Sequence, residues 1–273
     1  MAEGPRRRAA AFAERLATSG ADALEYQVVA AILHGSLTLG DFTPGQSDID
    51  LLVVVARPLH DREIDALRRA VEAFRDEPPS RVDLRVVTRE AAASPTPAPA
   101  MEAYVSLRPG RPVEVETRVA GKPDLAVEFS IVRAHGRRLL GPDPREGIGA
   151  VPDEWVAVVA DRQLAAWEGL TGDAAHDALM VLTTCRVWRF HAEGVHCSKS
   201  AAGRWALARD PSLTAVGEAL RKRDGDPQAT VGEAGIRRLI ARVRREIASR
   251  QPGVRRPMTP VQVMTARTSG GEA

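Results

Sequence analysis

The chain has 273 residues, of which 44% are hydrophobic and 27% are charged, and these are ordinary proportions for a globular protein. The formal net charge is only +2 and aromatic residues make up 4%, so no nucleic-acid-binding surface is indicated. No apolar run is long enough for a membrane span or a signal-peptide core, and the two cysteines, Cys185 and Cys197, fit no disulfide or zinc pattern. We therefore expect a cytoplasmic monomer that binds neither nucleic acid nor membranes.

The first half of the chain alternates between helical and strand patterns. The spacing of apolar residues predicts an amphipathic helix over 4–19, strands over 26–34 and 47–56, a helix over 59–74 and a third strand over 81–88. Two prolines end the second helix. The Ala- and Pro-rich stretch 91–100 reads as a connection, and shorter elements are expected near 113–118 and 125–135.

The Gly- and Pro-rich stretch 140–149 is the strongest boundary in the chain. Beyond it the pattern is helical, with helices predicted over 153–169, 173–193, 198–208, 213–223 and 232–250. Residues 251–273 contain three prolines and no sustained period. We therefore predict an N-terminal domain over 1–150, a helical domain over 151–250 and a flexible tail over 251–273.

The most informative motif is Gly35-Ser36, followed in the next strand by Ser47-Asp48-Ile49-Asp50. Side chains alternate along a strand, so Asp48 and Asp50 project to one face, where a bound Mg²⁺ would offset their repulsion. Glycine lets backbone N–H groups approach a phosphate, and serine adds a hydroxyl donor. The alternative interpretation of the Asp-x-Asp pair is a solvent-exposed strand edge without a ligand. Taken together, the motif resembles the nucleotidyltransferase signature of the polymerase-β superfamily.

Asp83 lies on the third predicted strand, with Arg85, on the face opposite to its apolar residues. If this strand pairs with the Asp48/Asp50 strand, Asp83 becomes a third acid beside the metal and the reacting hydroxyl. The alternative is an exposed strand carboxylate. His34, next to Gly35, is interpreted as a packing or supporting residue and not as a general base.

Two segments in the helical half of the chain indicate a particular family within this superfamily. Residues 182–188 (LTTCRVW) and 198–207 (SKSAAGRWAL) resemble the helical domain of the aminoglycoside 3″/9-adenylyltransferases, the streptomycin and spectinomycin resistance enzymes. The resemblance covers about residues 25 to 250. It implies an α+β fold, with an N-terminal polymerase-β-like nucleotidyltransferase domain built on a mixed sheet and a C-terminal all-α helical bundle.

The resemblance also implies roles for individual residues. Gly35, Ser36 and Ser47 would contact the phosphates of the co-substrate ATP, and Arg186 and Lys199 would reach the nucleotide from the helical domain. Asp48 and Asp50, with Asp83, would surround Mg²⁺. Asp83 falls where the streptomycin and spectinomycin enzymes carry a glutamate that acts as general base, and it keeps the carboxylate but is one methylene shorter.

For the acceptor, the resemblance implies that Trp167 lines a drug pocket. We choose Asp173 and Asp177 as the acids that would recognise a cationic drug, with His176 at what could be an acidic position. A core role for Trp167 and a helix-dipole role for the two acids are the competing interpretations. A second pocket tryptophan expected from the N-terminal domain has no counterpart, because no tryptophan precedes Trp155.

The sequence therefore predicts Mg²⁺-dependent transfer of AMP from ATP to a hydroxyl of a cationic aminoglycoside or aminocyclitol, spectinomycin and/or streptomycin. A nucleotidyltransferase that acts on another small molecule or on a protein is the main alternative. A binding module with a decayed site is disfavoured because the carboxylates and both cations are present.

Overall fold

The computed structural model of the chain describes residues 3–79, 81–170 and 176–250. In its first part the strands are β1 (Val28–His34), β2 (Ile49–Val55), β3 (Val82–Thr88), β4 (Met101–Leu107), β5 (Glu114–Val119) and β6 (Arg137–Leu140). The helices of this part are α1 (Glu3–Ala23), α2 (Asp61–Glu72), α3 (Arg89–Ala93), α4 (Pro123–His135) and α5 (Pro144–Gly147). The second part contains α6 (Asp153–Glu168), α7 (Asp177–Glu193), α8 (Lys199–Arg209), α9 (Thr214–Arg223) and α10 (Glu233–Arg250).

The strands form one sheet of order β5-β4-β3-β2-β1-β6. Strands β2 and β3 are parallel and the other neighbours are antiparallel, so the predicted mixed sheet is confirmed. Strands β4 and β6 were not predicted from the sequence. The alternating buried residues of β4 were hidden behind the Pro-rich connection, and β6 is a four-residue strand that begins with two arginines.

Strands β1 and β2 are buried on both faces along most of their length, which explains their continuous apolar sequences. Leu33, Leu51 and Val53 pack in the same core as residues of α1 and α2. Ile32 and Leu52 point the other way and pack with residues of α4. The sheet is therefore a middle layer between two helical layers.

The register of the sheet aligns polar residues across neighbouring strands. His34 of β1 is opposite Asp50 of β2, Asp50 is opposite Asp83 of β3, and Asp83 is opposite Ser106 of β4. The condition set for Asp83, that its strand pairs with the Asp50 strand, is therefore met. This row of residues lies on the face of the sheet that is covered by α4.

The second part of the chain is helical, as predicted, and α6 to α10 enclose a core of their own. Trp188 is fully buried there, packs edge-on against Trp205 and donates its indole N–H to Glu246. Ser198 caps α8 through a hydrogen bond from the backbone N–H of Ala201, and Gly194 closes α7 with φ +67°.

The predicted bounds of 1–150 and 151–250 stay a prediction, and the predicted tail over 251–273 lies outside the described residues. Within residues 3–79, 81–170 and 176–250, no helix is long and apolar enough to span a membrane.

Candidate active site

The Gly-Ser turn after β1 depends on the absence of a side chain at Gly35. This residue has φ +72°, and a Cβ placed on it would lie 1.9 Å from Oδ2 of Asp50. The backbone N–H of Asp41 donates to the carbonyl of Ser36 and closes the turn. The buried hydroxyl of Ser36 has no hydrogen-bond partner among the described residues. A donor held in this way suits a phosphate oxygen.

Asp48 and Asp50 both line one cavity, while Ile49 and Leu51 are fully buried on the opposite face, as strand alternation requires. Asp48 is paired with Nε of Arg81 at 3.0 Å. Burial raises the pKa of Asp50 to about 6; the nearby carboxylates of Asp83, Glu128 and Asp48 add to this rise, and His34 opposes it. A cation bound at this wall would favour the charged form of Asp50.

Asp83 lies beside Asp50, but its carboxylate is already occupied. Both of its oxygens lie 2.9 Å from Nη2 of Arg108, and the hydroxyl of Tyr104 donates to one of them. Asp83 does not line the cavity that contains Asp48 and Asp50. Arg108 therefore supplies the positive charge beside Asp83, where the sequence predicted a metal ion.

The carboxylates fit Mg²⁺ together with a nucleotide better than Mg²⁺ alone. In the described part of the chain, no three His, Cys, Asp or Glu side chains are grouped so that they could hold a metal ion. Protein-bound Mg²⁺ commonly uses one or two carboxylates and completes its shell with substrate phosphates and water. Asp48 and Asp50 could supply the carboxylates, and the unpartnered hydroxyl of Ser36 would suit a phosphate beside them.

The cavity of about 520 Å³ lies between the sheet and the helical part. This volume is in the range of small-molecule sites. The structure brings together there the residues predicted to hold the nucleotide, which are Gly35, Ser36, Ser47, Asp48, Asp50, Arg186 and Lys199. Ser47 is buried, and its hydroxyl accepts the backbone N–H of Thr43.

The helical wall of this cavity is positively charged. Burial lowers the pKa of Arg186, and burial together with the neighbouring Arg186 and Arg223 lowers the pKa of Lys199. Among the described residues, neither Arg186 nor Lys199 takes part in an ion pair. Clustered and partly desolvated cations are unfavourable without an anion, so this wall favours a strongly anionic ligand.

Two of the residues predicted to bind the acceptor are elsewhere. Asp177 is buried, and both of its oxygens lie 2.8 Å from Nζ of Lys222 on α9, so this acid is neutralised inside the helical part. Trp167 packs against the helical core and does not line the cavity, in agreement with the competing interpretation. Asp173 lies outside the described residues.

A buried charged cluster beneath Asp50 was missed. One carboxylate oxygen of Glu128, on α4, is 3.2 Å from Nε2 of His34. The other is 2.8 Å from Nη1 of Arg85. Burial lowers the pKa of His34, but Glu128 outweighs this effect and the net pKa is raised. A lone glutamate on an otherwise apolar helix face was the signal available in the sequence. The supporting role predicted for His34 agrees with these contacts.

Two further acids at the cavity were also missed. Asp124 and Asp153 occupy the first turns of α4 and α6, are exposed and line the cavity. In the sequence they are typical helix-start acids. Only the packing of α4 beside α6 turns them toward one opening.

The Gly-Ser turn, the Asp-x-Asp strand and the mixed sheet define a nucleotidyltransferase domain, and residues 20–103 match the family model described as Nucleotidyltransferase domain. Residues 148–243 match the model described as Aminoglycoside adenylyltransferase, C-terminal domain. The two matches bear out the resemblance to the aminoglycoside adenylyltransferases that the sequence predicted.

Curated relatives include proteins named Aminoglycoside (3'') (9) adenylyltransferase from Klebsiella pneumoniae and from Escherichia coli. Each is 29% identical over 89 residues, which cover 33% of this chain and 34% of the relative. The chain thus matches about a third of the length of these relatives. A solved structure of spectinomycin adenyltransferase AAD(9) from Enterococcus faecialis, with ATP and spectinomycin, has a TM-score of 0.63 at 17% identity. The match covers 83% of this chain and 94% of that one, so the two share a fold.

Proposed function

We propose that this protein transfers AMP from ATP to a hydroxyl of a small-molecule acceptor, with spectinomycin and streptomycin as the first candidates. The observation that carries the proposal is the division of charge in the cavity. Asp48 and Asp50 lie on the sheet wall, and Arg186 and Lys199, which form no ion pair among the described residues, lie on the helical wall. A metal-bound triphosphate satisfies both walls at once.

In this proposal the triphosphate lies between the helical wall and the sheet wall. Lys199 and Arg186 would neutralise the phosphates from the helical side, and Ser36 would donate its hydroxyl from the sheet side. Asp48 and Asp50 would hold Mg²⁺, which supplies charge neutralisation at the phosphates when it is bound. The leaving pyrophosphate would stay held by the cations of the helical wall.

The acceptor hydroxyl must lose a proton as its oxygen attacks the α-phosphorus in line. We assign this proton to Asp83, which is next to Asp50 in the sheet register. Because Arg108 contacts both oxygens of Asp83 and Asp83 does not line the cavity, its side chain must leave Arg108 and turn toward Asp50 before it can accept the proton. The bond to the acceptor oxygen forms as the bond to pyrophosphate breaks.

A cationic acceptor needs carboxylates near the opening of the cavity. Asp124 and Asp153 lie there, and we propose them for this role in place of Asp177, which is paired with Lys222. The curated relatives are named as aminoglycoside adenylyltransferases, and the structural neighbour holds ATP and spectinomycin. These names support an aminocyclitol or aminoglycoside as acceptor.

A different small-molecule acceptor remains the second candidate, and Arg108 favours it. This cation lies on the proposed proton acceptor and within 3.6 Å of Asp48, where an approaching cationic acceptor would be repelled. An acceptor with a neutral or anionic edge would suit this side of the site better.

Calorimetric titration with ATP and Mg²⁺, followed by a pyrophosphate-release assay with each drug, tests the proposal. We expect ATP to bind, and pyrophosphate to appear only when an acceptor is added. Asp83→Asn should lower turnover by at least about a hundredfold while ATP affinity changes little, because a positioned base contributes about 10²- to 10⁴-fold. Absence of ATP binding would refute nucleotidyl transfer, whereas binding without turnover on either drug would select the second candidate.

A further inference from the structure

Asp41 lies in the loop between the Gly-Ser turn and β2, and its contacts extend to both parts of the chain. Its backbone N–H donates to the carbonyl of Ser36 at 2.9 Å. Its carboxylate accepts the backbone N–H of Ser200, at the start of α8, at 3.1 Å. Ser200 follows Lys199 directly, so Asp41 connects the two residues proposed to hold the phosphates from opposite walls.

Arg223, from the end of α9, completes this connection. Its guanidinium lies 3.1 Å from the carboxylate of Asp41 and donates to the backbone carbonyl of Asp41 at 2.8 Å. It also donates from Nε to the hydroxyl of Ser200 at 3.1 Å. The side chains of Asp41 and Arg223 are only 15% and 13% exposed, so this pair is poorly screened by water.

The backbone N–H of Ser200 has no acceptor within its own helix, because the first amides of an α-helix lack a carbonyl one turn earlier. Ser198 already caps the N–H of Ala201, and Asp41 accepts that of Ser200. A carboxylate at a helix N-terminus is also stabilised by the helix dipole. The start of α8 is therefore fixed by a residue that lies about 160 positions earlier in the chain.

From these contacts we infer that Asp41, held by Arg223, is a positioning residue that joins the Gly-Ser turn to the start of α8 and sets Lys199 opposite Ser36 before ATP arrives. The expected effect on ATP binding rests on the proposed function, whereas the contacts of Asp41 do not depend on it. In this arrangement Asp41 has no contact with reacting atoms, and the phosphates are bound by Ser36 and Lys199. Without it, the nucleotide would have to order the two walls itself, at a cost in affinity.

The nucleotide-free test is amide hydrogen exchange on the full chain. Asp41→Ala should speed exchange at the Ser200 amide by at least about tenfold, since the lost hydrogen-bond acceptor is charged. The exposed pair Arg221 and Asp226, which lies wholly within the helical part, provides matched controls. Arg221→Gln and Asp226→Ala should leave the Ser200 amide as protected as in the wild type. Unchanged exchange in Asp41→Ala would overturn the inference.

The functional test is titration with ATP·Mg²⁺ and, separately, with AMP. Asp41→Asn keeps the shape of the side chain but loses its charge, and it should weaken ATP binding about tenfold while AMP binding changes little. Turnover at saturating ATP should stay within about twofold of the wild type, so that KM for ATP changes and kcat does not. Equal losses for ATP and AMP would show a general structural defect and would contradict the positioning role.

A double-mutant cycle separates this role from direct phosphate binding by Arg223. If Arg223 acts through Asp41, Arg223→Gln should add little to the loss already caused by Asp41→Asn. Additive losses would show that Arg223 binds phosphate independently, which would overturn the inference. Arg223→Lys, which retains the charge, provides a folded variant for the same cycle. If the wild type binds no ATP, the proposed function fails, and the exchange experiment alone decides the joining role.

Discussion

Asp50 is subject to two opposing requirements. As a proposed metal ligand it must be charged, but burial and the neighbouring acids raise its pKa to about 6. A raised pKa means that the folded state binds the proton more tightly than the unfolded state does. Asp50 therefore contributes stability below about pH 4, and this contribution is lost as the pH rises through about 6.

We expect Asp50→Asn to stabilise the nucleotide-free protein at pH 7.5 while abolishing AMP transfer. The pKa is raised from 3.8 to about 6, and each pKa unit corresponds to about 1.4 kcal/mol, so the gain is at most about 3 kcal/mol. Urea unfolding at pH 7.5 and at pH 4 measures it. The gain should shrink at pH 4, where the wild-type carboxyl is protonated in the folded state and about half protonated in the unfolded state, and an equal gain at both values would contradict the assignment.

Glycines on the helices show how closely these elements pack. In α8, a Cβ added to Gly203 would lie 2.9 Å from Cδ2 of Leu182 and 3.0 Å from Cδ2 of Leu220. In α9, a Cβ added to Gly217 would meet nothing within 4 Å. The same substitution should therefore have opposite effects on the two helices.

We expect Gly217→Ala to raise the free energy of unfolding by about 0.5–1 kcal/mol, because alanine favours the helix and fills open space. Gly203→Ala should lower it by about 1 kcal/mol, because displacing the buried Leu182 and the partly buried Leu220 costs more than the helix propensity returns. Urea unfolding of the two variants side by side tests this pair. Stabilisation by both substitutions would show that α8 is less tightly packed against its neighbours than described.

At the scale of the whole molecule, the cavity needs both parts of the chain. Lys199 and Arg186 belong to the helical part, while Ser36, Asp48 and Asp50 belong to the sheet. A ligand that touches both walls should stabilise both parts against unfolding.

ATP·Mg²⁺ at about a hundred times its Kd should stabilise the wild type by about 2.7 kcal/mol and raise its melting temperature by several degrees. Lys199→Ala should lose most of this rise because the phosphates lose a cation. Differential scanning calorimetry measures both, with Lys122→Ala as the control, since that lysine pairs with Glu116 away from the cavity. A full ATP-induced rise in Lys199→Ala would exclude Lys199 from the nucleotide site.

The choice of acceptor also depends on both parts of the chain, because the cavity lies between them. We expect spectinomycin to be modified more readily than streptomycin, because the larger drug should depend more on the aromatic residue that the N-terminal part lacks. Growth of a sensitive bacterium that expresses the chain, on each drug separately, tests this ranking. Resistance to streptomycin alone would reverse it, and an Asp83→Asn chain should give resistance to neither drug.

The sequence by itself determined the class of site and most of the elements. Gly35-Ser36 and Asp48-x-Asp50 were readable because their chemistry is local: a strand fixes which side chains share a face, and a glycine fixes a turn. The same alternation placed Asp83 on the polar face of its strand, while the pairing of that strand with the Asp50 strand was decided by the fold. The helices of the second part were equally readable from their periodicity.

Only the tertiary structure decided which charges meet. The sequence predicted Asp177 as an acceptor-binding acid, but in the fold Lys222 from another helix neutralises it. Arg108 on Asp83 and Arg223 on Asp41 are likewise pairs of residues far apart in the chain. A side chain's partner depends on how elements pack, and the local pattern carries no information about this. For this reason the sequence could predict a nucleotidyltransferase, while the joining of its two walls through Asp41 became visible only in the fold.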